Sequence, residues 1–329
     1  MRKLLWIALT ASAAWTGYWW VGATQIEDRV TAFVAANPQA GVTFASADVQ
    51  GVPNRFDLTL TDLTLDRPTE GIRWHTPFAQ IYAMTWKPWH LIAALPTNQE
   101  ITYQGQTLTL NSRQIIGDVI VHPNADLGLQ EVIVQGNGLE LRSDAEWQIG
   151  LDTLLASLRE DPTTANRYRL GLRVNELRPD VSLADEIASA ELPSTIGEVY
   201  LDAHATLSAP LDRTAAQTQP TLTALDISAA RISWGDLLFA AQGSLAPDGN
   251  GFAQGEIELR LQGWQKVPPF LVAVGVLQPQ MQQPVTSVMA GLASQGDEPD
   301  VLVLKLVAKD GRMDLGPFPL GPAPLLQRQ

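Results

Sequence analysis

The chain has 329 residues, 45% of them hydrophobic, which suffices to bury the core of one large domain or two smaller ones. Its net charge of −13, with no basic run after the first three residues, excludes the cationic footprint that nucleic-acid binding requires. With no cysteine in the chain, disulfides, thiolate metal sites, thiol nucleophiles and a lipid-modified N-terminal Cys are excluded together.

Arg2 and Lys3 precede Leu4–Ala23, a stretch of 20 residues without a charge. At about 1.5 Å per helical residue this length matches a hydrocarbon core of about 30 Å, so residues 1–24 are expected to form a transmembrane anchor in the inner membrane. Ala11-Ser12-Ala13 offers the alternative, a peptidase site that would release the remainder. Trp15, Tyr18, Trp19 and Trp20 argue for retention, because amphipathic rings prefer the membrane–water boundary, and they are the expected interface residues. Glu27 and Asp28 follow, so the basic end faces the cytoplasm and the bulk of the chain is exported, in a bacterium to the periplasm. A buried N-terminal helix is the remaining reading. Ile26, Val30, Phe33 and Val34 recur at helical spacing, which continues the anchor as an amphipathic helix over residues 25–37 until Asn37-Pro38 ends it.

Beyond that point strand patterns dominate. In RFDLTLTDLTLDRP the apolar set changes phase near Thr61-Asp62, as a bulge or tight bend would require. MTWKPWHLI gathers Trp86, Trp89, Lys87 and His90, which with Trp74 make either a polar-aromatic patch for a membrane surface or core filling. QGNGLE reads as a hairpin turn, and EWQIGLDTLLASLRE as a helix with Trp147, Leu151, Leu154, Leu155 and Leu158 on one stripe. RYRLGLRVN alternates Leu170, Leu172 and Val174 with Arg169, Gly171 and Arg173. EVYLDAHATL does the same with Val199 and Leu201, and EIELRL with Ile257, Leu259 and Leu261. Such alternation belongs to antiparallel strands with one wet face, and these eight residues are the candidate apolar sheet face.

SLADEIASAEL is a short helix capped by Ser182. Polar and small residues at Asp212–Gln219 mark a linker or long loop, which divides the chain into a first β-rich part, 38–211, and a second, 220–329, or lies within one continuous sheet. Pro247–Gly251 and Lys309-Asp310-Gly311-Arg312 signal hairpins. In the stretch from Val267 onward, Pro268 and Pro269 start a helix too short to cross a bilayer, Pro279 and Pro284 interrupt, and Gly296–Asp300 is an exposed loop.

No catalytic, cofactor or metal set emerges. His75, His90, His122 and His204 lack metal-ligand spacing, and Gly-x-Ser-x-Gly, Ser-x-x-Lys and phosphate-cradling glycine loops do not occur. The acidic groups Asp57, Asp62 and Asp66, and Asp297, Glu298 and Asp300, read as solvated carboxylates.

The segment from Ile232 to Trp264, with its Gly-x-x-x-Gly-x-Ile-x-Leu cadence, resembles the AsmA-like group of periplasmic proteins. The close DGRMDLGPFPLGPAPLL, taken with the N-terminal GYWW, is similar to the bacterial family catalogued as domain of unknown function 2125. The resemblance implies a membrane-tethered α+β protein, mainly β, in which an extended, curved antiparallel sheet with a few packed helices follows the anchor. It supplies no catalytic residue. The expectation is a non-enzymatic protein that shields or transfers lipid acyl chains along the apolar face. The alternative is an envelope scaffold with a closed core that binds other envelope proteins, and a hydrolase ranks third.

Overall fold

A computed structural model describes residues 2–296, 298 and 300–327. The protein is mainly β, with a few helices, and its sheet is built from antiparallel ladders. It divides into two compact units, Met1–Pro123 with Val134–Glu146, and Asn124–Ile133 with Trp147–Gln329. The divide falls near residues 123–147, whereas Asp212–Gln219 lies inside the second unit.

The first unit begins with helix α1, Arg2–Ala36, and continues through β1 Val42–Thr43, β2 Ser46–Gln50, β3 Arg55–Arg67, β4 Ile72–Met84, β5 Lys87–Leu95, β6 Asn98–Tyr103, β7 Gln106–Asn111, β8 Gln114–Val121 and most of β9, Leu129–Ser143. β3 pairs with β1 and β2 on one side and β4 on the other. β4 then pairs with β6 through its first half and with β5 through its second. Glycine in QGNGLE does not end a strand: the segment lies within β9, bent at Gly138 with φ 57°.

The phase change in β3 is a coordinated switch of faces. Asp62 adopts φ 54° opposite Pro77, and the ladder keeps its register on both sides, Thr61 facing Phe78 and Leu63 facing Thr76. Buried positions step by three in both strands at this level, from Leu60 to Leu63 and from Ala79 to Thr76, so the apolar face continues unbroken through the kink. The Thr76 hydroxyl donates to the Phe78 carbonyl at 3.0 Å, satisfying an acceptor at the bend.

α1 closes the first unit's core. Trp19 and Ala23, with Ile26 and Val30 a turn apart, pack on Val49, Phe56, Leu58 and Leu60, and Trp19 stacks on Phe56 with centroids 6.3 Å apart. Phe33 points to solvent at 64% exposure, so the amphipathic stripe runs through Trp19 and Ala23 instead, and the helix ends at Ala36 before Asn37-Pro38. Burying a tryptophan removes about 200 Å² from water, a gross gain of about 5 kcal/mol. The expected membrane span over residues 1–24 is not found: among the described residues no helix is long and apolar enough to cross a membrane. Two physical reasons apply. Thr10, Ser12, Thr16, Gly17 and the aromatic cluster dilute the apolar run, and Trp19 and Ala23 at its end belong to a protein core.

The second unit takes in the start of β9 and then forms a meander. Its elements are β10 Gln148–Glu160, β11 Arg167–Leu177, α2 Ala184–Ser189, β12 Ile196–Leu207, α3 Ala215–Thr218, β13 Leu222–Trp234, β14 Leu237–Pro247, β15 Ala253–Gln262, α4 Val267–Ala273, α5 Pro279–Ala293, β16 Val301–Lys309, β17 Arg312–Leu315 and β18 Phe318–Pro322. From β10 onward each strand pairs with the next. The hairpin at Asp310-Gly311 has φ of 52° and 72°, the double left-handed turn that matches strand twist.

Several helical expectations are corrected here. Residues 146–160 are expected to be helical, but Gln148–Glu160 form β10. At Glu176, φ 53°, the apolar positions step by three, from Val174 to Leu177 and from Val199 to Ile196, and Leu151 stands at the same step from Leu154. A strand kinked in this way mimics the i, i+3 spacing of a helix. Asp180, not Ser182, caps the turn before α2, accepting from the Ser182 amide at 2.9 Å. Pro284 lies within α5 and does not interrupt it; the proline removes one backbone donor while Val285, Met289 and Ala293 retain their packing. The glycines of the Gly-x-x-x-Gly cadence answer to close backbone approach. Gly251 and Gly255 have φ of 85° and 147°, and a Cβ on either would sit 2.1 Å from a carbonyl oxygen, that of Gln327 or Ser244.

Candidate functional site

The meander's register assembles the predicted apolar positions into rows. Leu172, Leu201, Ala230, Ala241, Leu259 and Leu304 face one another in turn across β11–β16. Val174, Val199, Ile232, Phe239, Leu261 and Leu302 form the next row, and Leu170 opens a third through Ala203, Ile227 and Gly243 to Ile257. A bulge between Ile227 and Ala230 keeps both residues on this face despite their spacing of three. All eight predicted residues therefore belong to one sheet face.

The helices cover that face unevenly. Met289 and Ala293 of α5, with Trp264, pack on Leu302, Leu304, Leu259 and Leu261. α2 and α4 bring Ile187 and Phe270 onto Trp234, Ile196 and Leu237, with Phe270 edge-on to Trp234 at 5.2 Å. Ile257 is buried as well. Leu170, Leu172, Val174, Val199 and Leu201 are half-buried and belong to none of the second unit's core clusters. The candidate face is thus split into a portion on β15 packed beneath α5 and a half-buried portion on β11 and β12, where Tyr168, Ala203 and Ala205 are buried.

The reverse face is polar and charge-paired. Arg169 makes two hydrogen bonds of 2.8 Å to Asp202, Arg173 lies 3.3 Å from Glu198, and Arg159 pairs with Glu131. Arg173 and Arg231 flank the ring of Tyr200 at 5.3 and 4.6 Å. Gly171 leaves a hollow of about 210 Å³ among Ser157, Arg159, Arg169, Arg173, Tyr200 and Asp202. Since each of its arginines already has a carboxylate partner, the hollow offers little as an anion site. The Arg169 hydrogen bond holds the Asp202 carboxyl below its ordinary range and raises the Arg169 guanidinium. Asp161 and Asp180 are lowered by hydrogen bonds from Thr163 and from Ser182 respectively, and Glu256 raises Lys305 across 2.5 Å.

The histidines take part in the same sheet pattern. His75 Nε2 lies 2.8 Å from Asp62 Oδ1, and His90 Nε2 lies 2.8 Å from Asp118 Oδ2 with Lys87 Nζ 3.2 Å from the other ring nitrogen. In both pairs the carboxylate sits diagonally across the ladder, since His75 faces Thr64 and His90 faces Ile120. Diagonal pairing of this kind is how pleated surfaces match charge. His204 faces Arg169 and Asp226 on the polar side of β12. Among the described residues no three His, Asp or Glu side chains converge as a metal site would require. Asp297 of the acidic loop lies outside the described residues, while Glu298 is 3.7 Å from Arg260.

The aromatic residues near the N terminus divide by role. Trp19 is core, and its Nε1 donates to the Arg55 carbonyl at 2.5 Å. Trp15 Nε1 donates to Asn54 Oδ1 at 3.3 Å, Tyr18 Oη donates to the Thr85 carbonyl at 3.1 Å, and Trp20 is exposed. Trp74 packs against the same core and donates to Gln99 at 2.9 Å, which leaves Trp86, 56% exposed, as the outward residue of the predicted patch. Sequence reasoning missed Val52, exposed in the turn that the Thr85 amide ties through Asn54, because that proximity is tertiary; Met84, also exposed, lies within MTWKPWHLI but was not assigned to the patch.

A family model described as "Uncharacterized protein conserved in bacteria (DUF2125)" matches residues 19–324, and the chain belongs to that family. No curated protein and no solved structure matches the chain.

Proposed function

We propose that the protein is a non-catalytic component of the bacterial envelope, tethered to the inner membrane through the N-terminal half of α1 with its bulk in the periplasm, and that its second unit shields lipid acyl chains along the apolar sheet face. The observation that carries this reading is the half-buried portion of the face outside the helix-packed clusters, Leu170, Leu172, Val174, Val199 and Leu201. Apolar surface left in water costs about 25 cal/mol per Å², and helices relieve that cost over β15, β16 and the Ile196–Trp234–Leu237 end of β12–β14. An acyl chain laid across β11 and β12 relieves it for the remainder without any polar partner. The tether reading is supported by the exposed apolar residues Leu4, Leu5, Trp6, Ile7 and Leu9 behind a basic Arg2-Lys3.

The test is to purify the full chain from bacterial membranes and measure co-purifying lipid by mass spectrometry, alongside a Leu172→Glu, Leu201→Glu variant. Loss of bound lipid with the melting transition preserved is the expected outcome. Lipid-free protein in every preparation would sink the reading, and unfolding of the variant would favour the scaffold with a closed core. Leu259→Glu is unsuited to this test, because Leu259 packs beneath α5.

A further inference from the structure

We infer that the two chain reversals beside α1, residues 51–54 and 84–87, form a membrane-contact platform that enters the near headgroup layer of a phospholipid bilayer. The inference rests on the tether reading above and adds the surface by which the first unit meets the membrane.

Leu4, Leu5, Trp6 and Ile7 are 72%, 62%, 67% and 65% exposed. Four consecutive helical residues point in four directions about 100° apart, so the helix is apolar all round at this level. A groove on a partner protein covers one side of a helix; hydrocarbon covers every side. The hydroxyls of Thr10 and Thr16 donate to the carbonyls of Trp6 and Ser12 at 2.8 and 2.9 Å, so they are satisfied within the helix and suit a site without water.

The helix is clamped to both reversals. Trp15 donates to Asn54, Tyr18 to Thr85, and Trp19 to Arg55, while the Thr85 amide donates to the Asn54 carbonyl at 3.1 Å and ties the reversals together. Inserting α1 therefore carries both reversals with it. From Leu4 to Tyr18 the helix rises about 21 Å, about 9 Å less than a hydrocarbon core of about 30 Å. A segment this short is fully immersed only when the Tyr18 level sinks to the near headgroups.

The reversals carry residues suited to that depth. Val52, Met84 and Trp86 are 56%, 43% and 56% exposed, with Lys87 adjoining, where turns on a water-facing surface favour Gly, Asn, Asp and Ser. Trp20 adds an exposed ring on α1. Tryptophan and lysine at one level are the composition of a bilayer interface.

Because the natural chain has no cysteine, single cysteines can be labelled cleanly. We would place an environment-sensitive fluorophore on Val52→Cys, Trp86→Cys and Thr69→Cys in the full chain. Thr69 is exposed in the turn at the opposite end of the β3–β4 hairpin, about 40 Å away along 13-residue strands. Each labelled protein is mixed with phosphatidylethanolamine–phosphatidylglycerol vesicles, and flotation measures binding independently. The expected result is flotation of all three proteins, with a blue shift and a severalfold rise in emission at positions 52 and 86 and none at 69. Flotation with unchanged emission at 52 and 86, or an equal response at 69, overturns the platform and leaves the tether standing. Absence of flotation overturns both. A rise at 52 and 86 without vesicles that depends on protein concentration assigns the surface to a second copy of the chain and also overturns the inference.

Discussion

Asp202 shows how charge is arranged on the polar face of the meander. RYRLGLRVN places Arg167, Arg169 and Arg173 on one side of β11, and the register then sets Asp202 diagonally from Arg169 and Glu198 diagonally from Arg173. The hydrogen bond from Arg169 holds the Asp202 carboxyl below its ordinary value, so the folded chain favours the ionised form more than the unfolded chain does. The resulting stability is fully present above the unfolded value of about 3.9 and is lost as pH falls through the lower folded value. Asp202→Asn is expected to lower stability by less than about 1 kcal/mol at neutral pH, because the guanidinium is largely exposed. Denaturant titrations of both proteins should show the gap closing below about pH 4. A gap of constant size down through the acid range would refute this account of the pair.

α1 joins two environments within one element. Residues 2–18 are exposed, whereas Trp19, Ala23, Ile26 and Val30 sit on the first unit's sheet. The docked portion depends on Trp19, which combines burial, a stacked contact with Phe56 and a hydrogen bond to Arg55. Gly22 allows the approach, since a Cβ there would stand 2.7 Å from the Phe56 ring. Truncating Trp19 to Ala is expected to cost about 3–5 kcal/mol in the first unit's stability. Hydrogen exchange should then show faster exchange in the α1 segment from Trp15 to Val30. Unchanged protection there would mean that the helix is held by something other than this side chain. β-strands show a related division of labour, because the kinks at Asp62 and Glu176 let one apolar face continue while its residues change phase.

At the scale of the whole molecule, each unit has a core of its own, one around Phe56 and Leu60, another around Leu302 and Leu304. Phe56→Ala and Leu302→Ala share no packing partners, so their destabilisations, each about 2–5 kcal/mol, should add to within about 0.5 kcal/mol in the double variant. Calorimetry of the single and double variants measures this; a large coupling term would show that the two cores fold as one. Much of this architecture was legible in the chain. Period-two alternation at Leu170–Val174, Val199–Leu201 and Ile257–Leu261 identified antiparallel strands and the side on which each is apolar, because a strand's side chains alternate whatever it later packs against. The turns at Asp310-Gly311 and Pro247–Gly251 were equally plain, being local chemistry. Residues 146–160 were misread as helix because Leu151 and Leu154 step by three where β10 follows the left-handed kink at Glu176 of β11, a step visible only when the paired strands are seen together. Sequence by itself determined which residues shun water and in what rhythm. Only the tertiary structure decided what covers them, α1 over Phe56 and α5 over Leu259, with Leu172 outside every helix-packed cluster of the described residues, since cover is supplied by segments distant in the chain whose meeting no local pattern records.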